Sequence, residues 1–359
     1  MHVVISIVAW NSMKYLPEAL ASLDTQTYRD FTLVIVDNAS SDGVEEFVRG
    51  NHPRAGLIRN TKNLGFARAH NQAIAYAKAR IAPERGDILA LVMNPDAVLE
   101  PTFLEEAVRS MTLHPEAGSV SGKLLRMKHS ADELSNGGEK TFTVDSAGLR
   151  IRKTRRMDDR GAGEQDGTDY DRGREIFGPS GALGLYRLSA LESVAYPVGG
   201  PTQPGQLAVE GREEYFDEDF FAYKEDLDLA WRLRLAGWTS WYEPRAVAYH
   251  YRTARGRDRA SYLSLGRNRR NRSPLVKFLS YRNSWLVLMK NDQLRNQLID
   301  LPRIAWYETG KFIYALILEP RTLKAVPSAL ALWPKMRRKR AHIMRTARTS
   351  AKEIRKWFA

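Results

Sequence analysis

The stretch VIVDNASSDG, residues 34–43, sets an apolar run directly against a cluster of short polar side chains. A run of β-branched residues that ends in Asp37 indicates a buried strand followed by a polar tip. Asp, Asn and Ser side chains close turns and cap helices, because they hydrogen-bond to nearby backbone groups, so Asp37 has a structural interpretation. The alternative is a carboxylate that binds a ligand at the end of the strand.

Short apolar runs alternate with helical patterns along the first hundred residues. The strand-like runs are residues 2–10, 32–37 and 87–93, and the helical patterns are residues 15–24 and 65–80. This alternation predicts an α/β fold with a mostly parallel central sheet flanked by helices. Ligands bind such sheets beyond the carboxyl ends of the strands, where we expect both Asp37 and the NPD of residues 94–96.

The composition is that of a folded globular protein of 359 residues with 43% hydrophobic residues and no cysteine. Disulfides and thiolate metal ligands are therefore excluded, and a reducing cytoplasm fits the composition. The N-terminus carries no targeting pattern, and no stretch reaches the roughly 18 apolar residues of a membrane span. We expect a cytoplasmic protein.

The net charge of +13 is concentrated at the C-terminus, where residues 335–359 hold ten Lys or Arg against Glu353 alone. The rest of the chain is nearly neutral, which argues against a nucleic-acid-binding body. Dense cations beside Trp333, Trp357 and Phe358 are typical of helices that lie on anionic lipid. We therefore expect residues 335–359 to bind a membrane surface, with a solvated basic helix or an oligomer contact as the alternatives.

Other segments of the sequence predict a loop and further helices, and they lack the common phosphate-binding motifs. Residues 126–175 are rich in Gly, Asp and Arg without periodicity, which predicts a long loop. Residues 225–236 predict a helix that stops at Gly237, and the chain is helical again from about residue 275. No GxGxxG or complete Walker loop occurs, so neither dinucleotide-binding nor P-loop chemistry is indicated.

Five further signals follow the Asp37 strand in order. They are NLGFARAHNQAI (63–74), LVMNPDAVLEP (91–101), GPSGALGLYR (178–187), FDEDFFAYKEDLDLAWRLRLAGW (216–238) and His250. The series resembles the rhamnosyltransferase-like branch of the family 2 inverting glycosyltransferases, which have a GT-A fold. The resemblance implies a catalytic domain over residues 1–290 and a helical, basic C-terminal region over residues 291–359.

In this family the donor nucleotide lies at the end of the first strands. The resemblance implies that Asp37 accepts a hydrogen bond from the pyrimidine, with Asp42 and Asn63 in the same pocket. It also places Gly65 beside the nucleotide and Asn94 on the ribose. An ionised carboxylate only accepts hydrogen bonds, so Asp37 suits the imide N–H of uracil or thymine.

The NPD motif stands where most GT-A enzymes carry DxD. The resemblance implies that Asp96 binds Mg²⁺ or Mn²⁺ on the donor diphosphate, and that His250 supplies a second ligand. One carboxylate is a sufficient anchor when phosphates and waters complete the shell. The structural alternatives are a Pro-containing turn at Asp96 and a buried histidine without a ligand.

The YKEDLDLAWR segment supplies the candidate catalytic base. The resemblance assigns this role to Asp226, assigns acceptor orientation to Glu225, and places Gly181 and Ala182 beside the donor sugar or acceptor. The structural alternative is that Glu225, Asp226 and Asp228 only stabilise the positive end of the helix that follows. Both interpretations can hold, because a helix terminus is also a rigid mount for a base. We expect the nearby acids of residues 217–219 to flank a solvated loop rather than to bind a second metal ion.

These inferences together predict a metal-dependent enzyme of cell-surface polysaccharide synthesis. The resemblance, which alone names rhamnose, implies that it transfers L-rhamnose from dTDP-L-rhamnose to a saccharide acceptor, which we expect to be lipid-linked at the inner face of the cytoplasmic membrane. A UDP-sugar donor such as UDP-galactofuranose is the nearest alternative. A nucleotidyltransferase and a non-catalytic binding module are the rivals from other classes.

Overall fold

The structure, a computed structural model, describes residues 1–86, 88–129, 138–197, 213–251 and 272–359. Within these ranges a ten-stranded mixed sheet forms the centre of the molecule, and two small two-stranded sheets accompany it. The strands are β1 (His2–Ala9), β2 (Phe31–Asp37), β3 (Gly56–Arg59), β4 (Ile88–Met93), β5 (Ala97–Leu99), β6 (Ala117–Lys128), β7 (Glu139–Ser146), β8 (Leu149–Ile151), β9 (Met157–Asp159), β10 (Arg174–Glu175), β11 (Leu183–Arg187), β12 (Tyr196–Pro197), β13 (Glu213–Glu214) and β14 (Thr239–His250).

Helices cover both faces of the central sheet and continue to the end of the chain. They are α1 (Leu16–Asp24), α2 (Val44–Asn51), α3 (Gly65–Arg80), α4 (Ala82–Arg85), α5 (Phe103–Leu113), α6 (Leu188–Ser193), α7 (Glu225–Leu235), α8 (Pro274–Asn291), α9 (Leu294–Leu318), α10 (Ala325–Ala331), α11 (Trp333–Thr346) and α12 (Ala351–Arg355). The predicted helices at 15–24, 65–80, 225–236 and beyond 275 are confirmed.

The order of strands brings the ends of the first strands together. The sheet runs β10-β14-β6-β11-β4-β1-β2-β3, and β3, β2, β1 and β4 are parallel to one another. In register, Ala9 lies opposite Asp37 and Ile7 lies opposite Met93. The carboxyl ends of β2 and β4 therefore meet at one edge, as the α/β pattern predicted. Antiparallel β11 extends the sheet beside β4.

Two hydrophobic cores lie on the two faces of this sheet. One core packs α1, α2 and α5 against β1 and β4, and the other packs α3 and α7 against the opposite face. Every residue of β4 is buried, because helices exclude water from both sides of the strand. This double cover explains the continuous apolar run of ILALVM and gives the polar groups at its end a rigid mount.

A third core joins the C-terminal helices to α7. It contains Trp231 of α7, Met336 and Ile343 of α11, and Phe358 near the end of the chain. Phe358 is only 4% exposed, and Trp357 lies against the guanidinium of Arg234. Of the three aromatic side chains that the sequence places beside the basic tail, Phe358 is therefore unavailable to a lipid surface, and Trp357 is half-buried against the protein.

Two other local predictions also need correction. Residues 126–175 are not one long loop, since β7 to β10 form within them and Val144 and Tyr170 lie in a small core, while residues 130–137 lie outside the described residues. The acids at 217–219 do not flank a solvated loop. Asp217 is fully buried because Lys290 and Lys339 compensate its charge.

Candidate active site

Backbone and side-chain hydrogen bonds tie four of the predicted segments together at the carboxyl edge of the sheet. The contacts run from Asn94 N–H to Ala182 O at 2.9 Å, from Gly181 N–H to Asp226 Oδ2 at 3.0 Å, from Tyr251 N–H to Asp96 O at 3.1 Å, and between His250 Nε2 and Asp96 Oδ1 at 3.2 Å. The end of β4, the start of β11, the start of α7 and the end of β14 therefore form one continuous site.

Asp37 lies at the tip of β2 with a buried carboxyl group. Its Oδ1 accepts a hydrogen bond from the Ser40 N–H at 2.8 Å, and its Oδ2 lies 3.9 Å from Nε of Arg59. Ser40 and Arg59 also line a neighbouring cavity of about 440 Å³, together with Ala39, Asn60 and Thr61. The carboxyl group thus combines the turn-closing role with a position beside a polar cavity.

Asp42 and Asn63 hold the loops around this cavity. Asp42 Oδ2 accepts a hydrogen bond from the Met13 N–H at 2.8 Å, which joins the loop after β1 to the loop after β2. Asn63 Oδ1 accepts hydrogen bonds from Asn38 Nδ2 at 2.9 Å and from the Gly65 N–H at 2.8 Å. Sequence reasoning missed buried Asn38, although it directly follows Asp37 in the opening motif.

Gly65 begins α3 with a left-handed backbone, at φ +80°. A Cβ atom there would lie 2.4 Å from the carbonyl oxygen of Phe221, so only glycine fits both the conformation and the space. The same carbonyl accepts a hydrogen bond from the Ala67 N–H at 3.3 Å. The predicted nucleotide segment therefore packs directly on the loop that precedes Asp226.

A buried chain of three polar side chains connects the end of β4 to β7. His250 Nε2 lies 3.2 Å from Asp96 Oδ1, and His250 Nδ1 lies 2.9 Å from Asp145 Oδ2. Burial by itself lowers the pKa of His250, but the charge of Asp96 and hydrogen bonds to Asp145 and Asp96 raise it to about 10. Asp145 was missed because it lies in the segment predicted to be a loop.

The donor set around Asp96 fits a divalent cation that a substrate also ligates. One carboxylate and one imidazole suit Mg²⁺ or Mn²⁺ when phosphates and waters supply the other ligands. Asp145 lies on the far side of the imidazole, where carboxylates commonly orient a metal-binding histidine. Within the described ranges, no group of three or more acidic or histidine side chains is arranged to hold a metal ion. A metal ion would also compete with the proton on His250.

Asp226 and Glu225 begin α7 in different environments. Asp226 is partly exposed, and its Oδ1 accepts a hydrogen bond from the Leu227 N–H at 2.7 Å, in addition to the bond from Gly181. Glu225 is buried, and its Oε2 has no hydrogen-bond partner among the described residues. Burial and the charge of Asp226 raise the pKa of Glu225 to about 8. Glu225 is therefore mostly protonated at neutral pH and can donate a hydrogen bond.

Three aromatic side chains that sequence reasoning missed line the rim near Asp96. The ring centroid of Tyr251 lies 5.1 Å from that of Tyr15 and 5.1 Å from that of His129. Burial and the nearby charge of Asp96 raise the pKa of Tyr15. No motif marked these residues, because they come from three separate loops that only the fold brings together.

The polar cavity beside Asp37, the Asp96–His250 pair and the carboxyl groups at the start of α7 all lie at one edge of the mixed sheet. The model of the family described as Glycosyl transferase family 2 matches residues 4–193, more than half of the chain, and the chain belongs to that family. The predicted family is therefore confirmed.

Two relatives match this chain over different shares of their own length. The N-acetylglucosaminyl-diphospho-decaprenol L-rhamnosyltransferase of Mycobacterium tuberculosis is 29% identical over 269 residues, which cover 72% of this chain and 78% of the relative. The uncharacterized protein y4gI of Sinorhizobium fredii is 25% identical over 240 residues, which cover 63% of this chain and 22% of that protein.

Among solved structures, GalNAc-T7 with UDP, GalNAc and Mn²⁺ superposes with a TM-score of 0.56 at 13% sequence identity. The match covers 95% of this chain and 55% of that chain, so the present chain spans little more than half of that protein's length. The likeness confirms the GT-A fold.

Proposed function

We propose that this glycosyltransferase transfers L-rhamnose from dTDP-L-rhamnose, with inversion, to a saccharide carried on a lipid diphosphate. The name of the 29% identical mycobacterial relative supports both the sugar and the kind of acceptor. The enzyme would act at the inner face of the cytoplasmic membrane in polysaccharide synthesis. UDP-sugars, including UDP-galactofuranose, are the competing donors.

The proposed mechanism depends on the orientation of the Asp226 carboxylate, which the hydrogen bond from Gly181 helps to fix. Two backbone N–H groups, from Gly181 and Leu227, hold the Asp226 carboxylate in one orientation at the rim of the site. From there it takes the proton of an acceptor hydroxyl as that oxygen attacks the anomeric carbon of the donor. The new glycosidic bond forms on the face opposite the nucleotide diphosphate, the bond to the phosphate oxygen breaks, and the configuration inverts.

Glu225 complements this base. Because it is mostly protonated at neutral pH, it donates a hydrogen bond to an acceptor oxygen instead of repelling the Asp226 charge. Two adjacent carboxyl groups in unlike environments thus divide the work, one as the base and one as the donor that orients the acceptor. The unpaired, buried Oε2 of Glu225 supports this role.

The donor would lie between Asp37 and Asp96. Asp37 and the adjoining cavity receive the pyrimidine, and Asn63 and Gly65 form the wall that faces residues 220–224, here called the catalytic loop because they directly precede Glu225 and Asp226. Asp96 and His250 would hold the divalent cation, which neutralises charge on the departing diphosphate when bound. Asp145 keeps the imidazole of His250 in place.

A donor panel tests the proposal. The purified enzyme is incubated with Mg²⁺ or Mn²⁺, a lipid-linked N-acetylglucosamine diphosphate, and dTDP-L-rhamnose, UDP-galactofuranose or UDP-N-acetylglucosamine. We expect acceptor-dependent nucleotide release with dTDP-L-rhamnose, and NMR of the product should show the inverted anomeric configuration. Turnover with one of the UDP-sugars but not with dTDP-L-rhamnose would overturn the donor assignment. It would leave the assignment to the glycosyltransferase family unchanged.

A further inference from the structure

Helix α9 (Leu294–Leu318) carries most of the exposed apolar surface of the described part of the chain. Of the 18 large hydrophobic side chains that are exposed there, 12 lie between residues 294 and 333. Trp306 is 84% exposed and Ile317 is 70% exposed. A concentration of this kind marks an interaction surface, because monomeric soluble proteins rarely leave such patches open to water.

Nine exposed apolar residues of α9 form one broad face. One row contains Leu294, Leu298, Ala305, Phe312 and Leu316, and a neighbouring row contains Ile299, Trp306, Ile313 and Ile317. Successive members of each row are four or seven residues apart, so each row lies along one side of the helix. Leu330 and Trp333, from the end of α10 and the start of α11, are also exposed.

The first half of α9 turns its polar side toward the protein. Asn296 Nδ2 donates a hydrogen bond to the Ala351 carbonyl at 2.8 Å. Buried Asp300 accepts hydrogen bonds from Arg155 at 2.8 Å and from both terminal nitrogens of Arg355, at 2.6 and 2.8 Å. A surface helix of a globular protein normally packs its apolar face inward, so α9 has the reverse orientation.

The second half of α9 also turns its polar side toward the protein. Glu308 accepts a hydrogen bond from Trp285 Nε1 at 2.7 Å, and Lys311 donates one to Ser284 Oγ at 3.0 Å. Both partners belong to α8 (Pro274–Asn291). Polar contacts therefore anchor the whole helix, and its apolar face is left for a partner outside the protein.

Charge around this face selects the kind of partner. Between residues 294 and 333 every exposed charged side chain is a cation: Arg295, Arg303, Arg321 and Lys324. The three acids of the segment are buried or half-buried, and each pairs with a cation. An apolar face edged only by cations complements an anionic bilayer, whose acyl region takes the apolar side chains while its headgroups attract the cations.

We infer that α9, together with Leu330 and Trp333, is a membrane-docking surface that lies in the interface of an anionic bilayer. No helix in the described ranges is long and apolar enough to cross a membrane, and docking on the surface needs none. These exposed residues, rather than Trp357 and Phe358, make the apolar contact with lipid. It does not depend on the identity of the sugar donor.

The docking surface lies one helix away from the catalytic loop. Asn283 of α8 donates hydrogen bonds to the carbonyls of Phe220, Ala222 and Tyr223, at 2.8 to 2.9 Å, and these residues directly precede the catalytic carboxyl groups. Since α8 also holds α9, docking would present the Asp226 site close to the bilayer surface. An acceptor on a lipid diphosphate suits that placement.

Vesicle flotation tests the inference. We compare the full chain with the double variant Trp306→Glu/Ile317→Glu, using vesicles with and without phosphatidylglycerol. Both side chains are exposed, so the changes leave the core intact. Transfer of charge into the interface should lower the partition coefficient on anionic vesicles by at least about tenfold. Phe142→Glu, at a 77% exposed ring on β7, is the matched control and should float like the wild type.

Two further readouts separate the alternatives. Arg303→Gln/Arg321→Gln/Lys324→Gln should reduce binding more than Lys352→Gln/Lys356→Gln, an exposed pair in the basic tail. Equal flotation of wild type and Trp306→Glu/Ile317→Glu, or no flotation of the wild type, would overturn the inference. So would a stable dimer in light scattering that the same double variant dissociates, because a second copy would then occupy the face.

Discussion

Lys339 of α11 donates a hydrogen bond to Glu214 of β13 at 2.8 Å, across 125 positions of sequence. The same ammonium group donates to Asp219 at 2.9 Å and pairs with fully buried Asp217. These ion pairs raise the pKa of Lys339 despite its burial. The most basic of the described helices is therefore held by acids that precede residues 220–224, and part of its positive charge is neutralised inside the fold.

Replacement of Lys339 by Met should destabilise the protein strongly. It leaves Glu214 and Asp217 with less compensating charge, and loss of one partner from a buried ionic group costs about 3 to 5 kcal/mol in the free energy of unfolding. Urea denaturation measures the effect. Lys352→Met, at an exposed position, should change stability by no more than about 0.5 kcal/mol. Equal midpoints for the two variants would contradict a structural role for Lys339.

Asp226→Asn should abolish most transfer while donor binding is retained. The substitution keeps the shape of the side chain but removes the base, so kcat should fall by at least about 10²-fold with little change in donor Kd. Single-turnover assays and calorimetry with the donor measure the two quantities. Asp24→Asn, at an exposed acid at the end of α1, controls for loss of charge. Near-normal turnover of Asp226→Asn would refute its role as the base.

Glu225→Gln should remove a dependence of stability on pH. Because the folded pKa is raised to about 8 from 4.5, the folded protein keeps a proton that the unfolded chain loses, so Glu225 destabilises the fold increasingly as pH rises between these values. The variant should therefore gain stability relative to the wild type between pH 5 and pH 8, as urea unfolding at each pH would show.

The same substitution separates the two carboxyl groups in function. A neutral Gln can still donate a hydrogen bond, so Glu225→Gln should keep much of the activity and extend it to higher pH, whereas Glu225→Ala should lose it. Loss of activity in the Gln variant at every pH would show that Glu225 acts in its ionised form.

Asp96→Ala should weaken the metal-dependent part of donor binding more than the binding of the nucleoside. Asp145→Asn should give the same pattern more mildly, with a loss of roughly 10- to 100-fold in metal affinity, since it acts only through His250. Calorimetry with the nucleotide diphosphate, with and without EDTA, measures both variants. Donor affinity that is unaffected by EDTA in the wild type would count against a metal site at Asp96.

Periodicity was sufficient to predict the strands and helices at the start of the chain and the edge where Asp37 and Asp96 lie. These features follow from local patterns, because apolar strands that alternate with helices have few ways to pack. The roles of Asp37, Asp96, Asp226 and His250 came from resemblance, and they stay predictions that the variants above test.

Long-range pairing explains what the sequence did not reveal. Asp145 contacts His250 across 105 positions, and Lys339 contacts Asp217 across 122 positions, so no local pattern connects them. The reversed orientation of α9 was equally hidden. Its sequence is amphipathic whether the apolar or the polar side faces the protein. Only the hydrogen-bond partners of Asn296 and Asp300 show that the polar side does.

In the proposed function, the close fit of Gly65 against Phe221 would link the affinities of the two substrates. A nucleotide that fixes the start of α3 also fixes the carbonyl of Phe221, four residues before Glu225, and an acceptor that orders this loop acts back on the nucleotide. Such energetic coupling is reciprocal by thermodynamic necessity. Redesign of residues 221–224 for a new acceptor should therefore change the donor Kd as well.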